Sequence, residues 1–93
     1  MTITISPRHP GLYINDFFIK PSNLSFTELA KNLNVSESAV SRLLNAKSHL
    51  SYDMAIRLGK LFDHTPEYFM ALQMKYGLFE ASKDLDLSKV ITL

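Results

Sequence analysis

The fold is decided by residues 24–47, which read LSFTELAKNLNVSESAVSRLLNAK. Ser25 precedes an apolar run, and Glu28 lies three residues after Ser25. This is the spacing of a capping box, which marks a helix N-terminus. The next apolar positions recur as on one buried helical face, and they are Phe26, Leu29, Ala30 and Leu33. We therefore predict a short amphipathic helix that starts from Ser25 and stops at Asn34, since asparagine tolerates a left-handed turn.

A second short helix follows after about three residues. Ser36 is its predicted N-cap, and it runs to about Asn45. Its apolar positions are Ala39, Val40, Leu43 and Leu44. Because both apolar faces must be buried, the two helices have to cross sharply, and we predict a helix-turn-helix.

Three further helices surround this pair. The first is predicted to begin at Pro10 and to end before Pro21. Ser51 caps the fourth, and the fifth opens at Pro66 and extends to about Ser82. The inward positions of these two helices are Met54, Ala55, Leu58, Leu61, Phe62, Tyr68, Phe69, Leu72, Tyr76 and Phe79. The sequence therefore predicts an all-α, compact five-helix domain.

Composition limits the class of protein. The 93 residues suffice for one domain, and the absence of cysteine gives no disulfide scaffold or thiolate metal site. The N-terminal residues lack the pattern of a signal peptide and no stretch approaches a membrane span, so we expect a soluble cytoplasmic protein. The net charge of +1 is low compared with that of many DNA-binding domains. If this domain binds DNA, we expect the binding by each monomer to be weak and sensitive to salt.

The outer face of the third helix carries the candidate function. Its residues Glu37, Ser38, Ser41 and Arg42 are short or form hydrogen bonds, and such a helix fits the major groove. Arg42 is the candidate for a bidentate contact to guanine. Glu37 either accepts from a cytosine amino group or only favours the helix N-terminus as an acid. Ser38 and Ser41 are suited to bases or to phosphate.

Phosphate contacts are predicted on either side of that face. Asn45, Lys47 and the first amides of the second helix, near Ser25 and Thr27, are suited to them. Any capped amphipathic hairpin also has a polar outer face, and most such faces are only solvated. Spacing alone therefore leaves DNA binding and a solvated surface as alternatives.

Several motifs, taken together, resemble a known family. Three segments resemble the helix-turn-helix of the Xre (lambda-repressor-like) class, namely Leu24-Ser25-x-Thr27-Glu28-Leu29-Ala30, Val35-Ser36 and Ser41-Arg42-Leu43-Leu44-Asn45. The HigA-type antitoxins are similar in His9-Pro10-Gly11, Met54-Ala55-x-Arg57-Leu58 and Pro66-Glu67-x-Phe69-x-x-Leu72-Gln73-x-x-Tyr76-x-Leu78. The resemblance runs in order from about His9 to Ala81, nearly the whole chain.

The resemblance implies a lambda-repressor-like fold and a function. HigA-type proteins are dimeric repressors that bind their own operator and neutralise HigB, a ribosome-dependent messenger-RNA-cleaving toxin.

Three positions depart from the pattern. Asn34 stands where glycine is usual in the turn, and we expect the turn to keep its conformation there. Ala46 stands where glycine usually follows the asparagine, so the loop after the third helix is expected to differ. Phe26 replaces a polar residue near the DNA backbone, and we expect its side chain to be packed rather than to contact phosphate.

Two apolar surfaces are candidates for partners. On the fifth helix a second apolar line is predicted to form a two-fold dimer, and it comprises Met70, Met74, Gly77, Leu78 and Ala81. The alternative is that the tail from Leu85 to Leu93 folds back over it. On the first helix Leu12 and Ile19 form a separate stripe for the toxin or for the N-terminal arm.

The expected domain organisation is a flexible arm at 1–8, the DNA-binding domain at 9–82 and a tail at 83–93, either docked in the dimer interface or mobile. The histidines, His9, His49 and His64, lie in separate turns and are expected to be surface or capping residues. With no glycine-rich phosphate loop and no nucleophile–base pair, we expect no enzyme, metal or cofactor. Besides an antitoxin, a stand-alone regulator and a helical adaptor that does not bind DNA remain as hypotheses.

Overall fold

The structure, a computed structural model, describes residues 6–93, and helices account for its regular elements there. They are α1 (Pro10–Ile14, continued by a π-helical turn over Asn15–Ile19 and a last turn over Lys20–Ser22), α2 (Phe26–Leu33), α3 (Glu37–Leu44), α4 (Tyr52–Phe62) and α5 (Pro66–Lys83). The predicted all-α, five-helix architecture is confirmed. Most of the predicted N-terminal arm, residues 1–5, lies outside the described residues.

The predicted helix starts are correct because each is fixed by a local hydrogen bond. In each of α2 to α5 the N-cap hydroxyl accepts from the backbone N–H three residues further on, at 3.0–3.2 Å. The N-caps are Ser25, Ser36, Ser51 and Thr65. Such a cap satisfies one of the free amides of a first turn, so these helices begin where the sequence places them.

The predicted end of α1 is wrong. Pro21 lies inside the helix, which ends only at Asn23 in a left-handed conformation with φ 59°. Proline removes one hydrogen bond and its ring crowds the carbonyl one turn earlier. A π-helical turn stands directly before it, where the Lys20 N–H donates to the Asn15 carbonyl five residues back. This wider turn gives the proline ring room, and the helix continues.

The π-helical turn also changes which residues of α1 are buried. Ile14 and Ile19 would lie about 140° apart on a regular helix at 100° per residue. Both are buried, with Ile19 only 3% exposed, because the π-helical turn, closed by a hydrogen bond between residues five apart, is wider than an α-helical turn and brings the two side chains toward the same face. The predicted exposed stripe of Leu12 and Ile19 is therefore wrong. Leu12 remains at the surface, and Ile19 belongs to the core.

The core lies where α1, α4 and α5 enclose the helix-turn-helix. Phe69 of α5 is fully buried, and its ring lies 5.3 Å from that of Phe18 in α1. The buried apolar residues are Ile14, Ile19, Leu29, Ala30, Leu33, Val40, Leu43, Leu44, Leu50, Met54, Ala55, Leu58 and Phe69. Phe26 is 43% exposed, so the prediction that it packs in the core is wrong. It is the first residue of α2 and lies beyond the edge of the core.

A tyrosine pair joins α1 to α5 beside this core. The hydroxyls of Tyr13 and Tyr68 are 2.9 Å apart and share a hydrogen bond. This bond, together with partial burial, raises the pKa of Tyr68 to about 12. Tyr68 therefore stays protonated at physiological pH, and its hydrogen bond to Tyr13 links α1 to α5.

The C-terminal part of α5 is not covered by the rest of the fold. Of its 18 residues only Phe69 is fully buried, while Met74 is 58% and Leu78 65% exposed. The tail after Lys83 is exposed throughout and covers neither residue, so the fold-back alternative is wrong. No helix within residues 6–93 is long and apolar enough to span a bilayer.

Candidate nucleic-acid interface

The start of α2 is closed by a reciprocal pair of hydrogen bonds. The Glu28 amide donates to the Ser25 hydroxyl oxygen and the Ser25 amide donates to the Glu28 carboxylate, both at 3.1 Å. The predicted capping box is confirmed. The bond from the Ser25 amide lowers the pKa of the Glu28 carboxyl, which stays ionised. The Ser25 hydroxyl keeps its own hydrogen for a further acceptor.

Arg57 of α4 forms hydrogen bonds to the turn between α2 and α3. Its guanidinium donates to the carbonyls of Leu33, at 2.8 Å, and Asn34, at 3.2 Å. Asp53 accepts from the same side chain at 2.8 Å and orients it. Asn34 has φ 56°, as its predicted left-handed conformation requires. A cation at the C-terminus of α2 satisfies carbonyls that have no helical partner, so α4 fixes the angle at which the chain enters α3.

The two faces of α3 differ as predicted. Val40, Leu43 and Leu44 are buried against the other helices. On the opposite face Glu37, Ser38 and Arg42 are exposed, and Ser41 is half-buried. The Arg42 guanidinium has no hydrogen bond or ion pair with any residue of the described part of the chain, so its five donors face solvent. This is the state in which an arginine can approach a base edge.

The end of α3 adopts the geometry that a glycine usually supplies. Ala46 has φ 60°, and the Lys47 N–H donates to the Arg42 carbonyl at 2.8 Å, as in a Schellman motif. The loop therefore has the conformation that glycine usually supplies, and the prediction that the loop differs is wrong. The consequence of the substitution is backbone strain at Ala46. The Asn45 side chain donates to the Ser41 carbonyl at 2.9 Å and hydroxyl at 3.2 Å. Lys47 is exposed beside them.

His9 and Gly11 tie the start of α1 to the end of α3. The Gly11 amide donates to His9 Nδ1, and His9 Nε2 donates to the Ser48 carbonyl, each at 2.9 Å. A Cβ added at Gly11 would lie 1.7 Å from the Leu43 carbonyl oxygen, so only glycine allows this approach. The predicted capping role of His9 is confirmed. Burial lowers its pKa below 6.5, so the neutral ring that both hydrogen bonds require is favoured.

The structure brings the predicted contact residues onto neighbouring segments. Thr27 in α2 donates a hydrogen bond from Oγ1 to the carboxylate of Glu37 in α3. All of the predicted residues are exposed except the half-buried Ser41, and they are Ser25, Thr27, Glu37, Ser38, Ser41, Arg42, Asn45 and Lys47. Together they present one arginine, one lysine, one glutamate and several hydroxyl and amide groups, which are groups that can form hydrogen bonds to phosphates and base edges.

The sequence does not reveal two residues that position this interface, Arg57 and Gly11. Both occur in the motifs that resemble the HigA-type antitoxins, but the motifs do not show what the residues contact. Their roles depend on contacts 23 or more residues away, which spacing does not reveal. In the described part of the chain, no three His, Cys, Asp or Glu side chains lie close enough to hold a metal ion.

Comparison with known proteins identifies the family. The family described as Helix-turn-helix matches residues 18–69, more than half of the chain. An HTH-type transcriptional regulator of Haemophilus influenzae is 32% identical over 78 residues, which cover 84% of this chain and 73% of that protein. The chain therefore belongs to the Xre-like helix-turn-helix family of DNA-binding regulators.

Two solved structures of antitoxins are similar to this chain over nearly their whole length. The antitoxin HigA of Pseudomonas aeruginosa with its higBA promoter is 34% identical, with a TM-score of 0.84 over 92% of this chain and 96% of that chain. The antitoxin GraA in complex with its operator is 30% identical, with a TM-score of 0.89 over 100% and 97% of the two chains. The resemblance to HigA-type antitoxins is confirmed, and the protein is an antitoxin-like regulator.

Proposed function

We propose that the protein binds operator DNA as a dimer, represses its own transcription and neutralises a HigB-type toxin in the cytoplasm. The observation that carries the DNA-binding part is the outer face of α3, where Arg42 is exposed and has no partner within residues 6–93. Two structural neighbours, HigA and GraA, are themselves complexes with a promoter or operator. α3 would enter the major groove with its N-terminal residues on base edges.

Phosphate contacts position α3 in this proposal. The exposed Lys47 and Asn45 follow the recognition helix, and the Ser25 hydroxyl lies at the start of α2. A net charge of +1 supplies little long-range attraction, so two copies of the domain are needed for tight binding. The operator is expected to be an inverted repeat with half-sites about one helical turn, roughly 34 Å, apart.

The dimer is assigned to the apolar line of α5. Met74 and Leu78 are exposed, and Gly77 between them leaves room for close approach of a second helix. The complete proposed interface is Met70, Met74, Gly77, Leu78 and Ala81. The exposed side chain of Leu12 in α1 remains a candidate contact for the toxin.

The test of DNA binding is a gel shift on the promoter upstream of the protein's own gene. Arg42→Ala is expected to weaken specific binding by roughly 1–3 kcal/mol while the far-UV circular dichroism stays unchanged. Lys83→Ala, which removes one positive charge from the last turn of α5, is the charge-matched control and should retain binding. If the wild type retards promoter and random DNA equally, it is not a sequence-specific repressor.

The test of the antitoxin role uses the neighbouring reading frame. Expression of a small basic protein encoded there should arrest growth, and co-expression of this chain should restore growth and copurify with it. A second candidate function is a regulator without a toxin, because the Haemophilus influenzae relative is described only as a transcriptional regulator. Promoter binding without a toxic neighbour would favour that candidate.

A further inference from the structure

One side-chain hydrogen bond joins the two helices of the helix-turn-helix at their exposed ends. Thr27 is the second residue of α2, Glu37 is the first residue of α3, and the Thr27 hydroxyl donates to the Glu37 carboxylate. Within residues 6–93 it is the only hydrogen bond between side chains of these two helices. Both residues are exposed, so core packing does not explain why the pair is formed.

The charge of Glu37 is unfavourable for unspecific DNA binding. Its carboxylate forms no ion pair with a cation of the described chain. In the proposed docking geometry it stands at the end of α3 that meets the base edges, close to the phosphates. A carboxylate there repels DNA of any sequence, and only a hydrogen-bond donor on a base can offset the repulsion.

The Thr27 hydroxyl restricts what the carboxylate can do. It occupies one oxygen of Glu37 and holds the side chain in one direction, which leaves the second oxygen as an acceptor. In the major groove cytosine N4 and adenine N6 both carry donors, but the adenine donor lies beside the N7 acceptor and cytosine is the usual partner of an acidic side chain, whereas guanine presents only acceptors at its N7 and O6. A fixed acceptor therefore favours cytosine and rejects guanine at the same position.

We propose that Glu37 is a specificity-determining residue that reads a cytosine amino group, and that Thr27 is the positioning residue that aims it. This inference rests on the proposed DNA-binding function. It differs from the simpler role in which Glu37 only interacts with the N-terminal dipole of α3. That role predicts an effect on stability and none on base preference.

The experiment selects duplexes from a randomised pool with the wild type and then measures affinity by fluorescence anisotropy. Glu37→Ala is expected to bind random duplex more tightly and to lose preference for the one C·G pair that Glu37 reads, by about 5- to 100-fold. Thr27→Val keeps the shape of the side chain but removes its hydroxyl, and it should lose preference at the same pair. Thr27→Ser keeps the hydroxyl and should retain it. The double variant should lose no more than Glu37→Ala alone.

Each alternative outcome has a distinct meaning. If Glu37→Ala keeps the full base preference and only lowers the melting temperature, Glu37 serves the helix terminus and the inference is wrong. If Thr27→Val weakens selected and random duplexes equally, Thr27 is a phosphate ligand and its positioning role is wrong. Failure of the proposed function itself would be visible in the wild type, which would then select no sequence at all.

Discussion

The helix-turn-helix and α5 bury their apolar residues to very different extents. α2 and α3 are eight residues each, and each buries three apolar side chains against the rest of the chain. α5 has 18 residues and fully buries only Phe69. The short helices each have one apolar face that the rest of the chain covers, whereas α5 also carries apolar residues on a second side, and these stay exposed in the single chain. The single chain thus buries the apolar residues of the helix-turn-helix but not those along the C-terminal part of α5.

The largest expected effect is on the free energy of unfolding, and it is measured by truncating one leucine in each region. Leu44→Ala in α3 should lower the free energy of unfolding by about 2–5 kcal/mol, because it leaves a cavity at a buried site. Leu78→Ala in α5 is the matched control and should change the stability of the monomer by less than about 0.5 kcal/mol. Urea denaturation at low protein concentration measures both. Equal losses would contradict the difference between the two regions.

A charge on α5 tests whether a second copy covers its apolar line. Met74→Glu should weaken the dimer by roughly 2–4 kcal/mol, because two unpaired carboxylates would be brought into the interface. Lys75→Glu introduces the same acid at the next exposed position and should leave the dimer in place. Analytical ultracentrifugation distinguishes these results. An unchanged sedimentation coefficient for Met74→Glu would exclude the proposed interface.

A smaller effect is expected from pH at the contact between α1 and the end of α3. The pKa of His9 is lowered by burial, so the unfolded chain takes up a proton more readily than the folded one. Stability is therefore complete above pH 6.5 and should fall as the pH drops from there toward the lowered pKa. The nearby His49 adds to this effect through its charge.

His9→Gln separates this titration from that of other groups. Glutamine also presents one acceptor and one donor, for the Gly11 amide and the Ser48 carbonyl, but it does not titrate. Thermal melts of the two proteins between about pH 7.5 and about pH 5, a range that brackets the ordinary histidine pKa of about 6.5, should diverge as the pH falls. Parallel curves would show that His9 does not control the stability in that range.

The smallest expected change is a gain at the end of α3. Ala46→Gly should stabilise the fold by about 0.5–1 kcal/mol, because it relieves a left-handed alanine at some cost in chain entropy. Ala71→Gly, the same substitution inside α5, should destabilise by about 0.5–1 kcal/mol. Denaturant titration of both variants checks the sign. A loss of stability at Ala46 would mean that the alanine is not strained.

The helix starts, the helix-turn-helix and its outward residues could all be predicted from the amino-acid sequence. These depend on contacts within one turn of a helix, such as the hydroxyl of Ser36 with the Ala39 amide, and on the periodicity of apolar residues. The left-handed Asn34 was predictable for the same reason, since its conformation follows from its own side chain.

Other features depend on residues that are distant in the sequence and follow from the packing of the chain. The π-helical turn places Ile19 in the core and precedes Pro21 inside α1, and a regular helical periodicity predicts neither feature. The bond between Arg57 and the turn, and the approach of Gly11 to Leu43, join residues far apart in the sequence. Local patterns fix where a helix begins, but the direction of its side chains and the close contacts between helices are set by the packing of the whole chain.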